Sequence, residues 1–112
     1  MTAVNPVDAF QTLDLRVGRV LRAEANDRAR KPSYKLWIDF GPLGEKRSSA
    51  QLRALYTPDE LVGRLVIAAV NLGERNIAGF VSEVLVLGLP DEKGEVVLLA
   101  VERDVPLGGR VY

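Results

Sequence analysis

The sequence predicts an all-β fold: a small five-stranded barrel with one short helix between its third and fourth strands. Three observations predict it. Two β-branched apolar runs, Val66–Val70 and Val84–Leu87, are too short for core helices and read as buried strands. Tyr34–Phe40 alternates, with Tyr34, Leu36, Ile38 and Phe40 on one parity and Lys35, Trp37 and Asp39 on the other, the pattern of a half-buried strand. One strong helix start, Thr57-Pro58-Asp59-Glu60, stands between these regions.

Asn5-Pro6 opens a short helix: Asn caps, Pro takes the first helical position and Asp8 lies in the first turn. Continued to about Leu13, it puts Val7, Phe10 and Leu13 on one side. A helix this short has to dock, on its own sheet or on a second subunit. Leu15–Ala25 reads as a long first strand, with Leu15, Val17, Arg19, Leu21 and Ala23 on one parity and Gly18 and Val20 on the other. Gly18 predicts a bulge or sharp bend.

Asn26–Ser33 is a polar loop with Arg28, Arg30 and Lys31. After the alternating second strand comes a turn at Gly41-Pro42-Leu43-Gly44, then a more polar third strand, Glu45–Leu52. Thr57 and Glu60 form a capping box and Gly63 is the stop, so the helix spans barely two turns. Leu72–Gly79 reads as a loop carrying Arg75 and Asn76, and Ser82-Glu83 opens the fifth strand. Polar groups beside core strands need partners or water, which marks this stretch as a candidate functional surface. Pro90–Gly94 is an acidic turn. Val96–Val101 is a continuous apolar run expected to be covered on both faces, and Pro106–Gly109 is a final turn.

At 112 residues and 47% hydrophobic content the chain is one domain, 1–112, with a real core. No run is long enough to span a membrane and the start lacks a signal pattern, so a soluble cytoplasmic protein is expected. With no Cys and no His, disulfides, thiolate metal sites, cysteine nucleophiles and the commonest general base are excluded. No carboxylate pair stands out either, so neither enzymatic activity nor a metal or cofactor is expected. Fifteen Lys/Arg balance fifteen Asp/Glu, but unevenly: Asp14–Arg53 holds ten basic and five acidic residues, and the rest of the chain the reverse. A local basic patch binds phosphate even on a neutral protein.

Five strands with a helix between the third and fourth is the plan of an OB-fold Greek-key barrel. Such barrels bind ligands on strands two and three and on the loops joining strands one to two and four to five. Here those loops are Asn26–Ser33 and Leu72–Gly79. Both carry arginine, and Trp37 stands between them on the outer face, a combination suited to RNA through phosphate contact and stacking. Plainer roles also fit. Trp37 could cover apolar surface, Asn71 satisfy a strand-end backbone group, Glu83 pair with Arg75 or Arg64, and Ser82 fill a tight barrel.

The segments DLRVGRV (14–20), KPSYKLWIDFG (31–41), KRSSAQL (46–52), YTPDELVGR (56–64), VNL (70–72), GFVSEVLVLG (79–88) and PLGGRV (106–111) resemble the tRNA-binding domain family. KRSSAQ, SEVLVLG and PDEKGEVVLL resemble its CsaA branch of small export-related chaperones. The resemblance implies an OB-fold homodimer joined through the terminal segments, 1–13 as a helical extension and 95–112 as a C-terminal strand extension. It also implies binding of unfolded or precursor polypeptides, with links to the protein-export (secretion) machinery. Asn71, Arg75 and Ser82 match the family's polar positions. Val84 and Leu85 stand where the family commonly has Gly and Met, and a missing glycine would obstruct close backbone approach.

Two functions follow as expectations. A chaperone would hold extended apolar segments passively, with Trp37 at the contact and Lys35 and Arg47 at the rim. A tRNA-binding module would use Arg28, Arg30, Lys31, Lys35, Arg47 and Arg75 on phosphate, with Asn71 and Ser82 near a base or sugar.

Overall fold

The computed structural model describes residues 4–112, so the start of the 1–13 extension lies outside the described residues. A five-stranded antiparallel sheet curls into a half-barrel in the order β3-β2-β1-β4-β7. Its strands are β1 (Leu15–Asn26), β2 (Ser33–Asp39), β3 (Glu45–Ala50), β4 (Leu65–Ala69) and β7 (Leu85–Val86). The expected core parity of β2 holds, with Tyr34, Leu36, Ile38 and Phe40 all buried. They pack with Val20, Leu52, Val66, Ala68 and Val84. Helix α2 (Pro58–Leu61) closes one end of this core with fully buried Leu61. Its predicted capping box is formed, and Gly63 follows at φ +88°.

Two expectations about β1 are corrected. The ladder is regular through Gly18, and the register shift falls at Leu21, between Val20 and Arg22. The bulge turns Val20 and Ala23 to the same side and leaves Leu21 exposed. Gly18 instead serves a close approach: a Cβ there would stand 2.6 Å from Ile38 Cγ2 and 2.8 Å from the Phe40 ring. Tight packing, not a bend, demands glycine at this position.

The stretch read as a loop, Leu72–Gly79, is corrected in its second half. β5 (Arg75–Ile77) and β6 (Phe80–Ser82) form a hairpin around Ala78-Gly79. Both turn residues have positive φ, +51° and +87°, as a two-residue turn matching the strand twist requires. The expected fifth strand, Val84–Leu87, contributes only Leu85–Val86 to the β4 ladder. The residues before it, Ser82–Val84, close the barrel onto β3. The N–H groups of Glu83 and Val84 donate to Arg47 O at 2.7 and 3.2 Å, and Ser49 N–H donates to Ser82 Oγ at 2.9 Å. The Glu83 carboxylate meets Arg47, at 3.3 Å from Nε, and not Arg75 or Arg64 as anticipated.

Helix α1 (Pro6–Thr12) is capped by Asn5 Oδ1, which accepts from Val7 N–H at 2.9 Å. It buries none of its residues, and Val7 and Phe10 face outward. The C-terminal part forms a second hairpin, β8 (Gly88–Pro90) with β9 (Val96–Leu98), around the predicted acidic turn. The run Val96–Val101 is thus strand only at Val96–Leu98. Leu98 is buried, while Val97 and its partner Leu89 are exposed, so a single chain covers one face of this hairpin. The last turn, Pro106–Gly109, lies along β1, with Gly108 N–H donating to Val17 O and Val17 N–H to Gly109 O. Among the described residues no helix is long and apolar enough to cross a membrane.

Candidate functional site

The β1–β2 loop and the β5–β6 hairpin stand opposite each other across a cleft of about 840 Å³. Buried Asn26 fastens the two walls: its Nδ2 donates to Ile77 O at 3.3 Å, and its Oδ1 accepts from Arg28 N–H at 3.2 Å. The Arg28 guanidinium reaches across to Gly79, where an added Cβ would meet its Nη1 at 3.3 Å.

The rim is cationic. Arg28, Arg30 and Lys31 rise from one wall and Arg75 from the other. All four are exposed, and among the described residues none lies within ion-pair distance of a carboxylate. Asp27, the one acid of the loop, is drawn away to Arg53 at 3.6 Å. Among the described residues no Asp or Glu lines the cleft. The floor is largely aliphatic, from Leu72, Ile77, Ala78, Val84 and Leu85, with a polar edge at Ser33, Ser49 and Gln51. Leu72 and Leu85 remain more than half and half exposed, at 57% and 50%. Isolated exposed leucines are ordinary; two on the floor of one concave surface form an apolar patch.

Of the residues singled out in the sequence, Arg28, Arg30, Lys31, Arg75 and Ser82 line this one cleft. Ser82 does so with its hydroxyl occupied, accepting from Ser49 N–H and donating to Val84 O at 3.2 Å. Asn71 is next to Leu72 but does not line the cleft, and it fastens the connection between α1 and β1: its Oδ1 accepts from Asp14 N–H at 2.9 Å, and its Nδ2 donates to Thr12 O at 2.8 Å. Lys35, Trp37 and Arg47 form a separate group on the outer face of β2 and β3. Its centre is Phe80, to which sequence reasoning gave no role. The Trp37 ring meets Phe80 edge-on at 5.4 Å, and Lys35 Nζ and Arg47 Cζ lie 5.8 and 5.6 Å from the Phe80 centroid. Arg22 stacks over Trp37 at 4.3 Å. Trp37 therefore sits beneath a cation and against a ring. The signal that would have placed Phe80 was Ala78-Gly79, a two-residue turn candidate flanked by Ile77 and Phe80.

A third cluster joins the termini. Asp14 accepts from Arg16 Nε at 2.6 Å and lies 3.5 Å from Arg110 Nε. The hydrogen bond from Arg16 leads in lowering the Asp14 pKa, aided by the positive charges of Arg16 and Arg110, against a smaller opposing effect of burial. Arg110 also donates to the carbonyls of Gln11 and Leu13, and Arg16 to that of Gly108.

An OB-fold barrel with a basic cleft between these two loops is the architecture of a binding module. The family model for a putative tRNA binding domain matches residues 15–110, and this chain belongs to that family. It is similar over almost its whole length to two solved chaperone structures. The CsaA of Bacillus anthracis superposes with a TM-score of 0.91 at 46% identity, covering 98% of this chain and 100% of that one. The CsaA of Picrophilus torridus superposes at 0.89 with 40% identity, covering 97% and 100%. The methionine–tRNA ligase of Methanocaldococcus jannaschii is 36% identical over 106 residues, which is 94% of this chain. The chain spans only 16% of that ligase's length.

Proposed function

We propose that this chain is a CsaA-type chaperone, which as a cytoplasmic homodimer binds unfolded or precursor polypeptides passively, without turnover, and passes them toward the export machinery. The observation that carries the reading is the aliphatic floor of the cleft, with Leu72 and Leu85 uncovered beneath its rim. An extended chain gains non-directional apolar contact there, so many sequences fit one site. Full-length similarity to two CsaA chaperones supports it. The dimer is supported by apolar surface that a single chain leaves open: Val7 and Phe10 on α1, and Leu89 and Val97 on the C-terminal hairpin.

A second reading, a structure-specific tRNA-binding protein, is favoured by the four unpaired cations on the two OB-fold loops and by the family itself. Anisotropy titrations of bulk tRNA and of an unfolded precursor polypeptide, each at low and physiological salt, separate the two. Polypeptide binding that persists in salt while tRNA binding fades is the expected result. Tight tRNA binding at physiological salt with no polypeptide signal would make the tRNA module the primary function.

A further inference from the structure

The rim and the floor of the cleft make different demands on an occupant. A client that buried only apolar groups on Leu72, Ile77 and Leu85 would strip water from Arg28, Arg30, Lys31 and Arg75 and give nothing back. Desolvating a cation without a partner is costly, and among the described residues no carboxylate lines the cleft; Asp27, the acid of the loop, lies exposed at 3.6 Å from Arg53. The other arginines described as ion-paired, such as Arg16, Arg22 and Arg47, have partners elsewhere. Of the nine Lys and Arg residues that make no ion pair among the described residues, four stand around this one cleft.

We propose that the cleft selects polypeptide segments in which acidic side chains alternate with aliphatic ones, the carboxylates meeting the rim cations while the aliphatic groups lie on the floor. The inference rests on the polypeptide reading and names its client class. In an extended segment successive side chains point to opposite sides, so one strand presents aliphatic groups to the floor and carboxylates toward the mouth, where the rim cations stand. The cleft favours this occupant over single-stranded RNA, the other polyanion. RNA recognition of this kind depends on bases stacked on aromatic rings, and among the described residues no aromatic one lines the cleft. The nearby rings, Trp37 and Phe80, are packed against each other and covered by Arg22, Lys35 and Arg47.

The test uses four labelled peptides of equal length on the intact protein: alternating Leu/Glu, Leu/Gln, Leu/Lys and Ser/Glu, with an unlabelled single-stranded RNA as competitor. Leu/Glu is expected to bind about tenfold tighter than Leu/Gln, the combined effect of two or three exposed ion pairs of ordinary strength. Leu/Lys should bind weakest, and the Leu/Glu advantage should shrink with added salt. In the quadruple variant Arg28→Gln/Arg30→Gln/Lys31→Gln/Arg75→Gln the Glu-to-Gln affinity ratio should fall to about one. Lys93→Gln, in the distant acidic turn, should keep the ratio. Leu/Gln or Leu/Lys binding as tightly as Leu/Glu overturns the inference and leaves the polypeptide reading standing. Ser/Glu matching Leu/Glu overturns it too, since charge alone would then suffice. If no apolar peptide binds and the RNA does, the polypeptide reading itself fails.

Discussion

The side-chain amide of Asn26 donates to the main-chain carbonyl of Ile77, 51 residues away, and so joins the two walls of the cleft. Asn26 is buried, and its oxygen also holds the N–H of Arg28, the first cation of the basic loop. Asn26→Ala leaves Ile77 O and Arg28 N–H without these partners. Unpaired groups of this kind cost about 1–3 kcal/mol. The urea midpoint should fall at unchanged slope, and affinity for polypeptide should fall beyond what the unfolded fraction explains. A variant with wild-type stability and affinity would mean that the walls are set without Asn26.

Ser82 is expected to act on the barrel and not on a ligand. Ser82→Ala removes the acceptor for Ser49 N–H at the seam between β3 and the residues before β7. We expect a loss of about 1–3 kcal/mol in chemical denaturation. The salt dependence of tRNA binding should not change, because no charge is removed. A shallower salt slope would show that Ser82 matters at the ligand.

The triple variant Arg28→Glu/Arg30→Glu/Lys31→Glu tests the loop directly. These exposed side chains make no ion pair among the described residues, so the fold should persist. If they neutralise phosphates, the slope of log affinity against log salt should become shallower by about 2–3, at about 0.7–0.9 per contact. Unchanged tRNA affinity would remove the loop from any nucleic-acid role.

Asp14 gives a pH dependence whose sign is set by its depressed pKa. The carboxylate form is favoured in the folded state, so its stabilisation is present at neutral pH. It is lost as pH falls through the folded-state pKa, below the ordinary carboxylate range. Asp14→Asn should therefore be less stable than wild type at pH 7, by roughly 0.2–1 kcal/mol for a partly exposed ion pair. The difference should vanish in acid. Denaturation midpoints across the pH range check this, and a constant difference would assign the effect to packing.

Phe10→Glu places a charge on the uncovered side of α1. If α1 docks on a second copy, sedimentation should show the variant as a monomer at concentrations where wild type is a dimer. The circular dichroism should match wild type, since Phe10 is half exposed and stands outside the core of its own chain. A dimer that survives the substitution would place the interface elsewhere.

Local chemistry made much of this protein legible before its structure. The alternation in Tyr34–Phe40 set the inward parity of β2, because successive strand side chains point to opposite faces. Thr57, Pro58 and Glu60 located α2, because a capping box joins residues three apart. The loops carrying Arg28, Arg30, Lys31 and Arg75 could be named because the order of elements already suggested an OB-fold barrel. Positions that depend on distant partners were not legible. Gly18 looked like a bend and is a clearance for Ile38 and Phe40. Glu83 found Arg47, 36 residues away, and Trp37 lies under Arg22.

By itself, then, the sequence determined the kind of barrel, the order of its main strands and which loops carry arginine and lysine, all properties of residues close together in the chain. Only the tertiary structure decided that these charges overhang an aliphatic floor, because Leu72 and Leu85 meet the basic loop through barrel closure and the Asn26 bond. Contacts between segments fifty residues apart depend on the closed shape of the whole sheet, and no local pattern of side chains carries that information.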